Sequence, residues 1–149
     1  MQYRIHPLFC RPWTLNGISP RLIESHYEHI YGEALNRLNE ITRELESLDA
    51  PTTSADVVNR LKRDQFTELN STLLHELYFA SLGGDGRTPP EIIAGAITRD
   101  FGSVDRWRHE FVALATALSG SSGWVLLTYV PRDRRLINQI GRASCRERV

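Results

Sequence analysis

From Pro20 to Leu48 the apolar residues Leu22, Ile23, His26, Tyr27, Ile30, Tyr31, Ala34, Leu35, Leu38, Ile41, Leu45 and Leu48 recur at helical spacing. Ser19 supplies an N-cap and Pro20 the first helical position, so the pattern predicts one long helix from about residue 20 to 48. Pro51, among small polar residues, ends it. A short helical turn is expected around Ala55 to Leu61. Phe66, Leu69, Leu73, Leu77, Tyr78 and Leu82 then form a second apolar stripe over about 64–82, halted by Gly83-Gly84-Asp85-Gly86. Two long helices with a short connection must bury their stripes against each other, so the N-terminal half is expected to be a helical hairpin.

The second half changes character. Thr88-Pro89-Pro90-Glu91 is a capping box that opens a helix closing at Gly102. Ser103 caps another, which is expected to carry Val104, Trp107, Phe111, Leu114, Ala115 and Leu118 inward. After Ser119-Gly120-Ser121-Ser122-Gly123, the run Trp124 to Val130 is short and rich in strand formers. Pro131 to Arg134 turns, and Leu136-Ile137-Asn138-Gln139 returns as a second strand. The fold class is therefore α+β: a long helical hairpin followed by an incomplete α/β lobe of two helices and a β-hairpin. Because a two-stranded hairpin is marginal alone, it must pack on helices or belong to a larger antiparallel sheet. The expected division is residues 1–85 for the hairpin domain and 86–139 for the lobe.

At 149 residues the chain can bury a sizeable core as one domain or two small lobes. Its 18 Lys and Arg balance 18 Asp and Glu, and Lys62 is the only lysine, so no basic block argues for nucleic acid or a membrane surface. No apolar run reaches the roughly 18 residues of a membrane span. Met1 to Pro7 lacks the layout of a signal peptide, which makes a cytoplasmic protein the default. Cys10 and Cys145 are too few and too distant for a disulfide framework, and Cys10 reads as a free thiol.

Two histidines stand out. His26 and His75 lie among apolar and aromatic residues on the two predicted helices, where a hairpin can present both imidazoles to one metal. On spacing alone a buried helical histidine is more commonly a hydrogen-bonded core residue. His29 falls beside the apolar stripe and is expected at the surface; His6 and His109 receive no role. A hydrolase site joining His75 to Glu76 is disfavoured, because adjacent helical residues point about 100° apart.

The succession S-P-R-L-I-E-S-H-Y with L-N-R-L-N, then L-L-H-E-L-Y-F, F-G-S-V-D-R-W and G-S-S-G-W-V-L-L resembles the iron/manganese superoxide dismutase family over roughly residues 13–139. Four pieces in this order and spacing are specific where each alone is weak. The resemblance implies disproportionation of superoxide at a single iron or manganese ion, in a protein that usually forms homodimers. It places two metal ligands on His26 and His75, and pocket-lining aromatics on Tyr78, Phe79 and Trp124. Asn138-Gln139 matches, over two residues, the pair whose glutamine holds metal-bound solvent in manganese-type members.

Two positions depart from that pattern. Gap-free alignment puts Ile30 where many members have a second histidine near the metal, and Ala34 where they have a tyrosine. Tyr31 is a stand-in for the tyrosine hydroxyl, although in a regular helix it sits about 60° round from Ala34. The family's D-x-W-E-H motif, with the remaining aspartate and histidine ligands, does not occur in these residues. The segment from Ile140 to Val149 instead resembles a translated sequencing adaptor and is expected to be a non-native tail. Setting aside this tail, with its three arginines and one glutamate, leaves 15 cations against 17 anions. The expectation is a fragment with two of four ligands and little activity, from an enzyme or from a relative that keeps the fold as a metal-binding or structural protein without catalysis.

Overall fold

A computed structural model describes residues 2–49, 51–86, 89–119 and 123–141. These fall into two compact units that divide between Gly84 and Asp85.

The first unit is a helical hairpin. A 3-10 turn at Pro12–Thr14 precedes α1 (Pro20–Ser25), a π-helical turn (His26–Tyr31), α2 (Gly32–Ser47) and α3 (Ala55–Ser81). Ser19 caps α1 as expected, its hydroxyl accepting the Leu22 N–H at 3.2 Å. The single α-helix expected over 20–48 is interrupted, because His26 to Tyr31 close i→i+5 hydrogen bonds instead of i→i+4. The separate helical turn expected at 55–61 is instead the start of α3, which runs unbroken for 27 residues from a Ser54 cap.

The core of this unit is Ile23, Tyr31, Leu35 and Phe79, with Tyr3, Leu8, Leu15, Ile18, Tyr27, Tyr78 and Leu82 packed against it. Leu38 and Leu61 are also fully buried, at 0% and 1% exposure. The apolar stripe expected to bury α3 holds only in part: Leu69, Tyr78 and Leu82 are half-buried, and the last two pack on the core, but Phe66, Leu73 and Leu77 are exposed, while Leu61, Ser71, Thr72, His75 and Phe79 are buried. Small residues at 71 and 72 suit the closely approaching side of the hairpin better than leucines do. On the first arm, Leu22 and Ile30 are likewise exposed. Gln65 Nε2 crosses the hairpin to donate to Thr42 Oγ1 at 3.2 Å.

The extended N-terminal arm is tied to the hairpin. Asn39 clamps the backbone of Tyr3, its Oδ1 accepting the N–H at 2.8 Å and its Nδ2 donating to the carbonyl at 3.0 Å. Gly83, at φ +88°, lies against Cys10, and a Cβ there would come within 2.9 Å of the Cys10 Cβ. Both the left-handed backbone and this approach require glycine. Cys10 is a free thiol.

The second unit contains α4 (Glu91–Phe101), α5 (Val104–Ala117), β1 (Trp124–Val130) and β2 (Arg135–Gly141). Thr88 of the expected capping box lies outside the described residues, and Pro90 occupies the N-cap position of α4. Ser103 caps α5 through a 3.0 Å bond from the Arg106 N–H. No residue of α5 is fully buried and Ala115 is exposed, so its inward stripe is shallower than expected. The strands pair antiparallel, Trp124 opposite Gly141, Leu126 opposite Gln139 and Val130 opposite Arg135. β2 thus continues two residues beyond the Leu136–Gln139 strand that was expected.

Side chains pin this hairpin to the helices. Asp100 accepts the Leu136 N–H at 2.7 Å and is held by Arg99 through two 2.7 Å bonds. The Trp107 indole donates to Asn138 Oδ1, and Asn138 Nδ2 donates to Glu110, both at 3.0 Å. Among the described residues no helix is long and apolar enough to cross a membrane.

Candidate metal centre

His26 enters from the start of the π turn and His75 from the C-terminal third of α3. Their rings meet edge to face with centroids 5.0 Å apart. Two imidazoles on one ion, with metal–nitrogen bonds of roughly 2.1 Å and near-tetrahedral or near-right angles, place their centroids about 5 Å apart. The separation therefore suits a shared ion.

The protonation of His75 is set by its own helix. The ring Nδ1 lies 2.7 Å from the Ser71 carbonyl, which can only accept, so Nδ1 carries the hydrogen and Nε2 the lone pair. Fixing the tautomer through a backbone carbonyl is how proteins orient a histidine for a metal. Burial pushes both imidazoles below the ordinary histidine range, and the neighbouring His75 lowers His26 further. Both rings are thus held neutral near pH 7, the form that binds a metal.

Aromatic rings enclose the pair. The His26 ring stacks on Tyr78 at 5.5 Å and meets Phe79 edge-on at the same distance. On the other side, Tyr31 lies nearly parallel to His75, with centroids 6.1 Å apart. Tyr31 is 1% exposed.

The π turn explains how Tyr31 reaches this position. In a regular α-helix residues five apart point about 140° apart, whereas the wider π turn, with its i→i+5 hydrogen bonds, brings them closer to one face. Tyr31 and Ala34 are joined by regular α-helical backbone, so the offset of about 60° between them stands; the π turn lies before Tyr31. Ala34 is buried, and Ile30 points outward at 55% exposure.

Neighbours that sequence reasoning gave no part surround the Tyr31 hydroxyl. It donates to Glu76 Oε1 at 3.1 Å and accepts the backbone N–H of His6 at 2.9 Å. The Tyr27 hydroxyl donates to the His6 carbonyl at 2.6 Å. His6 Nδ1 lies 3.9 Å from Glu76 Oε2. Burial raises the Tyr31 phenol to about 12, with the Glu76 carboxylate reinforcing the shift, so the hydroxyl keeps its proton. His29 is exposed, as expected, and His109 lies on α5 with Nδ1 against the Asp105 carbonyl.

Trp124 and Gln139 belong to the second unit. The register makes them diagonal neighbours on one face of the β-hairpin, opposite the face from which Asn138 reaches α5. Gln139 is exposed and Trp124 half-buried. An open groove of about 350 Å³ in this unit is lined by Asp100, Arg106, Glu110, Arg135 and Asn138, and by none of the expected site residues.

Two neutral imidazoles fit two coordination positions of a mononuclear iron or manganese ion. No cluster of three or more His, Cys, Asp or Glu suited to a metal occurs among the described residues.

Comparison with known proteins agrees with the sequence resemblance. Residues 89–145 match the model for the C-terminal domain of iron/manganese superoxide dismutases, a stretch that extends past Gln139. An iron superoxide dismutase of Cupriavidus metallidurans is 53% identical over 139 residues, covering 93% of this chain and 70% of the relative. The chain belongs to the iron/manganese superoxide dismutase family. A manganese/iron superoxide dismutase of Porphyromonas gingivalis is 32% identical over 82% of the chain and 65% of its own length. An iron superoxide dismutase of Aquifex aeolicus is 33% identical over 78% and 56%. The chain spans between about half and seven tenths of these superoxide dismutases.

Proposed function

We propose that His26 and His75 are two protein ligands of a single iron or manganese ion in a superoxide dismutase. The observation that carries this is the imidazole pair, 5.0 Å apart, with the His75 tautomer fixed by Ser71. The names of the relatives, iron or manganese/iron superoxide dismutase, support the choice of ion and substrate. The chemistry such an ion supplies is one-electron exchange: one superoxide gives up an electron and leaves as oxygen, and a second gains it with two protons and leaves as hydrogen peroxide.

This chain's residues have separable parts in that reading. Ser71 orients His75; Tyr78 and Phe79 exclude water around His26; Tyr31 places a hydroxyl, its hydrogen held by Glu76, beside His75. The family resemblance gives Trp124 a pocket-lining role and Gln139 a hold on metal-bound solvent; within the second unit both are carried by one face of the β-hairpin. The enzyme is cytoplasmic and works as a homodimer with one ion per subunit, without nucleic acid or membrane.

The test is metal content and superoxide consumption of the protein carrying this sequence, compared with His26→Ala and His75→Ala. Each substitution is expected to remove bound iron or manganese and with it the little turnover expected of a chain with two of four ligands. Retention of wild-type metal and turnover by both variants would refute the assignment.

A further inference from the structure

Tyr31 is a buried phenol stacked against His75, and its hydrogen-bond partners come from two places distant in sequence: Glu76 on α3 and His6 on the N-terminal arm. We infer that Glu76 is a positioning residue that acts through Tyr31, fixing the phenol so that it offers the site a lone pair rather than a proton.

The hydrogen-bond inventory leads there. A phenol has one donor and can accept through its oxygen lone pairs. Glu76 Oε1, an acceptor, takes the proton at 3.1 Å, and the His6 N–H, a donor, takes one lone pair at 2.9 Å. What remains directed elsewhere is an acceptor. A carboxylate partner roughly doubles the strength of such a bond over a neutral one, so the orientation is held firmly.

The arm completes the arrangement. His6 is gripped at both backbone groups, its N–H by Tyr31 and its carbonyl by Tyr27, while Asn39 clamps Tyr3 three residues earlier. The arm therefore cannot slide without releasing the Tyr31 oxygen. Glu76 follows His75 in sequence, so one turn of α3 carries both an imidazole of the pair and the group that orients its aromatic neighbour.

The inference rests on the metal reading for its functional meaning, but the hydrogen bond can be tested without metal. In metal-free protein, the ultraviolet resonance Raman tyrosine doublet near 850 and 830 wavenumbers, with Tyr31 isolated by subtracting Tyr31→Phe, reports donor or acceptor character. Glu76→Ala is expected to abolish the donor signature, and Glu76→Gln, which keeps an acceptor oxygen, to retain it. Amide exchange at His6 is expected to quicken about tenfold in Tyr31→Phe, where its acceptor is gone.

In metal-loaded protein, turnover per bound ion is expected to fall about tenfold in Glu76→Ala, to recover in Glu76→Gln, and to fall no further when Glu76→Ala is added to Tyr31→Phe. An unchanged doublet in folded Glu76→Ala, or independent multiplicative losses in the double variant, would overturn the inference. Failure of the metal reading shows separately, as wild-type protein that binds no iron or manganese while the doublet still responds to Glu76. Should Glu76→Ala not fold, the His6 amide in Tyr31→Phe decides: unaltered protection there overturns the inference.

Discussion

The His75 Nδ1 donates to the carbonyl of Ser71, one turn earlier on the same helix, at 2.7 Å. That bond converts a core-like histidine into one whose Nε2 carries the lone pair. It is also independent of the rest of the site, because it is made within α3. The helix that builds half of the hairpin core thus also sets the chemical state of the imidazole it presents.

Thr72, beside Ser71, is 2% exposed and its hydroxyl has no hydrogen-bond partner among the described residues. A buried polar group without a partner costs about 1–3 kcal/mol, and valine has nearly the same shape. Thr72→Val is therefore expected to raise stability by about 1 kcal/mol in denaturant unfolding. A loss of similar size would mean that the hydroxyl is satisfied in solution.

Leu38 is 0% exposed on α2. Leu38→Ala removes buried methyl groups and leaves a cavity, so the expected cost is about 3 kcal/mol, read as a lower urea midpoint with an unchanged slope. Phe66→Ser, on the exposed stripe of α3, is expected to cost under about 1 kcal/mol. Equal losses at the two sites would place the hairpin core on the other face of α3.

Asp100 is lowered from 3.8 to about 2, first by its bonds from Arg99 and then by the Leu136 N–H. The folded value lies below the unfolded one, so this carboxylate's contribution is complete above pH 4 and is lost as the pH falls through 2. Asp100→Asn is expected to lower the Tm at pH 7 and to make little difference near pH 2. A gap that stays constant from pH 7 to 2 would rule out the ionised pair as its origin.

Much of the architecture was legible because it depends on local signals. Ser19 and Ser103 act as caps, the glycine run after Leu82 ends α3, and the strand-former run from Trp124 forms β1. The choice of face on α3 was not legible: the helix carries two stripes, and apolarity favoured Phe66, Leu73 and Leu77 over the smaller Ser71 and Thr72 that meet the first arm. The π turn was equally hidden, since a period of 3.6 fits Leu22 to Leu48 on either side of it. Tyr31, at the end of that turn, is buried against His75, while Ile30, one residue earlier, is exposed. Glu76 and His6 went unassigned because their roles arise from hydrogen bonds between segments far apart in sequence.

The most direct test of the central claim is a titration of isotope-labelled protein with manganese(II), following the ring signals of all five histidines by NMR. Paramagnetic broadening falls steeply with distance from the ion. The His26 and His75 rings are predicted to broaden together and first, before those of His6, His29 and His109. Broadening of only one of the pair, or of a surface histidine ahead of both, would contradict a metal held between them.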